Sequence, residues 1–269
     1  MSGRVVIGTS SWADPGFVEE WYPADLPARE RLGWYAQRFE AVEVNTTFYA
    51  VFSSATVAGW VQATPEGLTF DVKLHRLLSR HAAKPDSLPG DLRGRAETTE
   101  RGRVRLEDRL EAALADRVAE AVEPLRAAGR LSTFLLQLTP AFKPREHSLD
   151  ELGPLVQRLS ATAPVAVELR HRGWTHEDRR EATLGWLEDH EAAFVCLDGP
   201  QGGAPTLPEP LDAATRDDLA YSGPTGATSR AICEAGVSPS ALAGTIPTRS
   251  WRRSAGASRG SPAKCPPCA

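Results

Sequence analysis

Six short apolar runs recur along residues 4–198, each followed by a stretch with helical spacing or capping, and this alternation limits the fold more than any other feature. The runs are "RVVIGTSSW", "AVEVN", "LTFDVKLH", "LSTFLLQL", "VAVELRH" and "AAFVCLD". Between them, residues 27–39 open on Pro27 and carry Leu32, Tyr35, Ala36 and Phe39 on one face. "ATVAGWVQAT" stops before Pro65, and residues 105–129 read as one charged-faced helix ending at Gly129. Residues 148–162 begin with Ser148 as N-cap, and "HEDRREATLGWLEDH" completes the set. With no hairpin signal, the pattern predicts parallel strands with helices outside, hence α/β. Six units at this spacing suit a TIM-barrel-like (β/α) barrel heading for eight. An open doubly wound sheet is the alternative, but the first strand-to-helix turn lacks GxGxxG.

Parallel strands are ordinarily apolar on both faces. Here the exceptions gather at the C-terminal ends of the runs. Glu43 and Asn45 share one face of the second strand, Lys73 and His75 one face of the third, and Glu168 and Arg170 one face of the fifth. Gln137 interrupts the fourth strand, and Asp198 closes the sixth. In a barrel these ends converge at one mouth, the place where active sites of this architecture sit. Buried bases and carboxylates can also pair into a purely structural network. Five strands carrying the exception at the same end favour a ligand site. Trp12, Trp21, Tyr22, Phe48, Tyr49 and Trp174 lie at or after strand ends, where most pack loops and a few can stack on a ligand. No HExxH or paired-histidine spacing fixes a metal site, and the cofactor is left unassigned.

Charge divides the chain near Tyr221. Residues 221–269 hold six basic residues and one acid, so residues 1–220 hold 25 basic and 34 acidic, a net of −9. That balance gives no overall basic footprint for nucleic acid. No stretch reaches the roughly 18 apolar residues of a membrane span, and the N-terminus has no signal-peptide pattern, so the expectation is a cytoplasmic protein without a membrane partner. Cys196 reads as a small core residue. "CPPC" at Cys265 and Cys268 lacks both a second pair for zinc and a strand-helix context for redox work.

"GTSSW", "WYP", "VEVNTTFY", "TP" (Thr64, Pro65), "FDVKLHR", "LLQLTPAF", "VAVELRHRGW" and "LDGP" follow one another in order, and together they resemble the YecE-like family, a domain of unknown function. The resemblance implies a TIM-barrel-like fold over about residues 4–220 and a polar mouth built from Glu43, Asn45, Lys73, His75, Gln137, Glu168, Arg170 and Asp198. It supplies no reaction. Read chemically, Lys73 and Arg170 would hold an anion, Glu43 or Glu168 would act as general base, and His75 would carry the proton. Asn45, Gln137, Asp198, Trp12 and Tyr49 would line the substrate, a small polar or anionic compound such as a sugar or phosphate compound. The oligomeric state is unassigned. A nucleic-acid-binding or processing protein resembling barrel endonucleases is the alternative, and a frameshift product without function is another.

That last reading comes from a departure after "DLAY". The resemblance implies a next strand like Tyr-Val-Arg-x-His-Gly-Arg-Asn, where this chain has "SGPTGATSRAICEAGV". Read one base earlier, Pro224 through Thr228 can encode His-Gly-Arg-Asn, and 247–254 can encode Asp-Glu-Glu-Leu-Glu-Glu-Val. The expectation is a barrel domain over 1–221 that lacks its seventh and eighth strands, and an aberrant, disordered basic tail over 222–269. Such a barrel would have unpaired edges and uncovered apolar surface. Resequencing the gene is expected to show the alternative frame across codons 222–254. Codons whose overlapping bases do not encode that pattern would eliminate the frameshift.

Overall fold

The computed structural model describes residues 4–198 and 211–224. Seven parallel strands form one sheet in sequence order. They are β1 (Gly8–Thr9), β2 (Ala41–Val44), β3 (Thr69–Lys73), β4 (Leu131–Gln137), β5 (Val165–Glu168), β6 (Ala193–Asp198) and β7 (Tyr221–Pro224). Seven helices pack outside: α1 (Arg31–Tyr35), α2 (Ser54–Gln62), α3 (Gly90–Arg93), α4 (Asp108–Ala121), α5 (Glu123–Ala127), α6 (Gly153–Ser160) and α7 (Glu177–Asp189). The sheet curls into a half-barrel, as the alternation predicts. Its expected incompleteness is also what the structure shows: among the described residues, β1 and β7 are edges and do not pair with one another. The sequence reading stopped at six strands, and the structure adds a short seventh, whose Tyr221 to Pro224 pair with Val195 to Asp198. The rest of the expected tail, 225–269 with its "CPPC", lies outside the described residues.

Period-two alternation divides each strand between two environments. Val42, Val44, Phe70, Val72, Phe134, Leu136, Val165 and Val167 face the helices and form one core with Val57, Leu114, Val118, Leu155, Val156 and Leu159. The opposite face points into the half-barrel. There Leu135, Ala166, Ala193, Val195 and Leu197 make a smaller apolar cluster that Tyr221 packs against. Cys196 is buried on the helix side, as expected, where its Sγ donates to the Ala213 carbonyl.

Several boundaries move for local reasons. The first strand shrinks to two residues, and Val5, Val6 and Ile7 are 69, 43 and 40% exposed, because no strand lies on their outer side among the described residues. Gly8 presses against β2 so closely that a Cβ would sit 2.3 Å from the Ala41 oxygen. The helix expected over 105–129 is two helices that break at Val122. Pro124 has no N–H to donate, and its ring collides with the carbonyl four residues back. Gly129, at φ +66°, ends the second helix in the left-handed conformation that favours glycine. Ser148 caps as predicted, with Glu151 completing a capping box, although the first turn is a 3₁₀ helix before α6. No helix among the described residues is long and apolar enough to cross a membrane.

At the N-terminal end of the sheet, buried Arg130 ties the turns together. Its guanidinium donates to the carbonyls of Leu68 (3.1 Å), Val61 (2.9 Å), Thr64 (3.3 Å) and Pro65 (2.5 Å), and to the Thr64 hydroxyl (2.5 Å). The Arg130→Ala variant removes all five of these charge-assisted bonds together, so a loss of roughly 3 kcal/mol is expected in urea unfolding. A change below about 0.5 kcal/mol would show that water replaces the guanidinium at no cost.

Candidate functional site

The inward face carries its polar groups on β2 to β5 and β7. Glu43 on β2 lies in register with Asp71 on β3, and Asp71 with Thr133 on β4. One pleat nearer the C-terminal end, Lys73 shares Asp71's face. Gln137 and Glu168 are register partners on β4 and β5. Gln137 Nε2 donates to Glu168 Oε2 at 2.8 Å, and Arg170 Nη1 to Glu168 Oε1 at 2.6 Å. From the far edge, the Tyr221 hydroxyl donates to Glu43 Oε2 at 3.3 Å. That contact joins β7 to β2 across the interior, which only a curled sheet allows.

Enclosure shifts the acid-base behaviour of this set. Burial pushes the Glu43 carboxyl up to about 7; Lys73 pulls it down, Glu168 and Asp71 push it further up, and the Tyr221 hydrogen bond lowers it. Burial likewise raises Asp71 to about 6, against the hydroxyls of Ser132 and Thr133. Asp71 Oδ1 is buried without a hydrogen-bond partner. Burial lowers Lys73, opposed by Glu43 and Glu168 and reinforced by Arg170. Tyr221 is raised by burial and by the carboxylates of Asp71, Glu43 and Glu168.

Above this interior, the mouth is cationic around one aromatic ring. The Lys73 ammonium lies 5.2 Å and the Arg76 guanidinium 5.6 Å from the Phe48 ring centroid. The His81 ring meets Phe48 edge-on at 5.1 Å. Burial lowers the His81 pKa, a hydrogen bond to the Gln137 backbone opposes this, and Arg76, Lys73 and Arg170 lower it further. Arg76 Nε and His81 Nε2 are both buried without a hydrogen-bond partner. A buried donor such as Arg76 Nε ordinarily has an acceptor, so its place beside the ring marks a site for one.

Of the residues singled out from sequence, the structure brings Glu43, Lys73, Gln137, Glu168 and Arg170 together. Asn45 is half-buried where the chain turns into the 3₁₀ segment Thr46–Phe48. Tyr49 is 61% exposed, with its ring against Phe48. Trp12 packs edge-on against Trp60 of α2, within the outer core. Asp198 ends β6 in backbone register with Pro224, and its side chain lies outside the described part. His75 is fully buried past the end of β3, and backbone groups occupy both its nitrogens. Nδ1 accepts from the Leu77 N–H at 3.2 Å, so the proton is on Nε2, which donates to the Ser87 carbonyl at 3.2 Å. Burial lowers its pKa to about 4, and the neutral ring pins the loop after β3. Asp71, Arg76, His81 and Tyr221 are members that sequence reasoning missed. Asp71 had a signal, since alternation puts it on Lys73's face. Arg76 and His81 stand in a loop with no period to read, and Tyr221 stands at the charge break.

Comparison with known proteins places this arrangement. The family model described as "Protein of unknown function DUF72" matches residues 6–228. The chain belongs to the DUF72 family. The resemblance to YecE-like proteins holds: the DUF72 chain is 24% identical over 209 residues to the UPF0759 protein YunF of Bacillus subtilis (strain 168). It is 27% identical over 180 residues to the UPF0759 protein YecE of Escherichia coli (strain K12). The two matches cover 78 and 67% of the DUF72 chain, but 66 and 53% of those relatives' lengths. A crystal structure of a DUF72 family protein from Enterococcus faecalis V583 aligns at TM-score 0.59 and 21% identity, over 85% of this chain and 77% of that one. Another, from Thermotoga maritima MSB8, aligns at TM-score 0.57 and 24% identity, over 82% and 74%. These likenesses carry the fold.

The raised carboxyls make stability pH-dependent. The folded state holds protons on Glu43 and Asp71 that the unfolded chain gives up near pH 4.5 and 3.8. Their contribution is full below those values and is lost as pH rises through about 6 for Asp71 and about 7 for Glu43. Taken alone, these two carboxyls lower the thermal midpoint between about pH 4.5 and 7, while His75, whose pKa the fold lowers to about 4, raises it up to about pH 6.5. Glu43→Gln should flatten the upper part of the slope. The comparison with the variant decides the point: a Glu43→Gln protein whose midpoint follows the same pH slope as wild type would show that Glu43 is not desolvated.

Proposed function

We propose that the DUF72 chain is an enzyme-type barrel that binds a small anionic molecule, a phosphate compound or a sugar acid, at its C-terminal mouth. One observation carries the reading: a desolvated carboxyl, Glu43, sits between Lys73 and the Tyr221 hydroxyl directly beneath a cationic rim. A group titrating near 7 both takes and returns a proton at neutral pH. Arg76 and Arg170 supply bidentate donors suited to a phosphate or carboxylate. His75 has no free nitrogen for a proton relay, so that role passes to Glu43 with Tyr221. Nucleic-acid processing finds less support, because residues 1–220 carry a net charge of −9 and the cations cover one ring-sized rim.

A thermal-shift screen of phosphorylated and carboxylated metabolites tests the binding, since a ligand of the folded state raises its midpoint. With a turned-over hit in hand, Glu43→Gln is expected to fold and bind while losing about 10²–10⁴-fold in kcat. Unchanged turnover in that variant would rule Glu43 out as the acid-base group.

A further inference from the structure

Among the described residues, two buried side chains of the lysine and arginine type are treated in opposite ways. Arg130, 4% exposed, directs its guanidinium to four carbonyls and a hydroxyl. Lys73, 8% exposed, makes no hydrogen bond and no ion pair among the described residues; its Nζ lies 5.2 Å from the Phe48 ring centroid, and the Glu43 and Glu168 carboxylates act on it only through space. A buried ammonium without oxygen partners is costly, and an amine relieves that cost by giving up its proton. Arginine cannot do so. The choice of side chain is informative in this sequence, which has lysine at only four positions (73, 84, 143 and 264) among 31 basic residues. A chain that uses arginine almost everywhere has at this inward position the one basic side chain that can become a nucleophile.

We propose that Lys73 is a carbonyl-reactive amine: its Nζ forms a Schiff base with a small aldehyde or ketone that also bears a phosphate or carboxylate. The proposal deepens the reading of the mouth as an anion site and rests on it. Arg76 and Arg170 take the anionic group, which frees Lys73 from the anion-holding role that sequence alone gives it. The unprotonated Nζ adds its lone pair to the carbonyl carbon, and the carbonyl oxygen takes a proton from neutral Glu43. The carbinolamine then loses that oxygen as water, as the carbon–oxygen bond breaks and the C=N bond forms. The net change is amine plus carbonyl giving imine plus water, without oxidant or reductant. Glu43 recovers its proton from Nζ as the carbinolamine forms, gives it to the departing oxygen so that water leaves, and takes the second Nζ proton as the imine forms, while Tyr221, bonded to Glu43, steadies the carboxyl.

The test is reductive trapping on the full chain. The protein is incubated with pyruvate, glycolaldehyde phosphate or pyridoxal phosphate, reduced with borohydride, digested and mapped by mass spectrometry. The expected result is a reduced adduct on Lys73 at least tenfold above those on Lys84 and Lys143. Glu43→Gln should slow formation of that adduct, and Lys73→Arg should abolish it while circular dichroism shows the fold intact. Uniform labelling of the lysines, or labelled Lys84 and Lys143 with Lys73 bare for all three probes, overturns the proposal. The reading of the mouth is judged separately. Stabilisation by a non-carbonyl anion that survives Lys73→Arg, with no adduct at Lys73, removes the amine and leaves the anion site. An adduct at Lys73 that Arg170→Gln and Arg76→Gln do not weaken keeps the amine and removes the anion site.

Discussion

The contact between Tyr221 and Glu43 is the constraint on which the site depends. It spans 178 residues of sequence and the width of the half-barrel, and it exists only because seven twisted parallel strands roll one face inward. The same rolling removes Glu43 and Asp71 from water, and desolvation is the largest cause of their raised pKa values. An open, flat sheet with identical residues would leave both carboxyls solvated and ordinary.

The interior is divided in composition. β6 contributes Ala193, Val195 and Leu197 to the inward face, while β2 and β3 contribute Glu43, Asp71 and Lys73. The apolar side lowers the local dielectric, which strengthens every interaction among the polar groups and raises the cost of any that stays unpaired. Glu168 meets that demand through Gln137 and Arg170. Asp71 Oδ1, Arg76 Nε and His81 Nε2 do not, and they lie on the inward face of β3 or in the loop that follows it. Arg130, at the opposite end of the barrel, meets it fully and serves the fold. The two ends thus separate stability from chemistry, as barrels of this class do.

Much of this was legible without coordinates. Alternating apolar runs and helices specify parallel strands, and period two puts Glu43, Lys73 and Glu168 on faces that the pleat keeps from their apolar neighbours. Ser148 and Gly129 acted as their types require at a helix start and end. The break at Val122 was also written in the sequence, through Pro124, but helical periodicity on both sides masked it.

What the sequence could not determine is which of its polar residues share a space. His75 lies two positions from Lys73 and reads as its partner, yet the strand ends at Lys73 and the following turn commits both imidazole nitrogens to backbone. Trp12 follows the first strand and reads as a mouth residue, yet it packs on Trp60. Arg76, His81 and Tyr221 carry no local pattern, and only the closure of the sheet and the path of the loop after β3 bring them to the mouth. Local alternation determines on which side of a strand a group lies. The curl of the sheet decides what it faces and how much water it keeps, and so sets its chemistry.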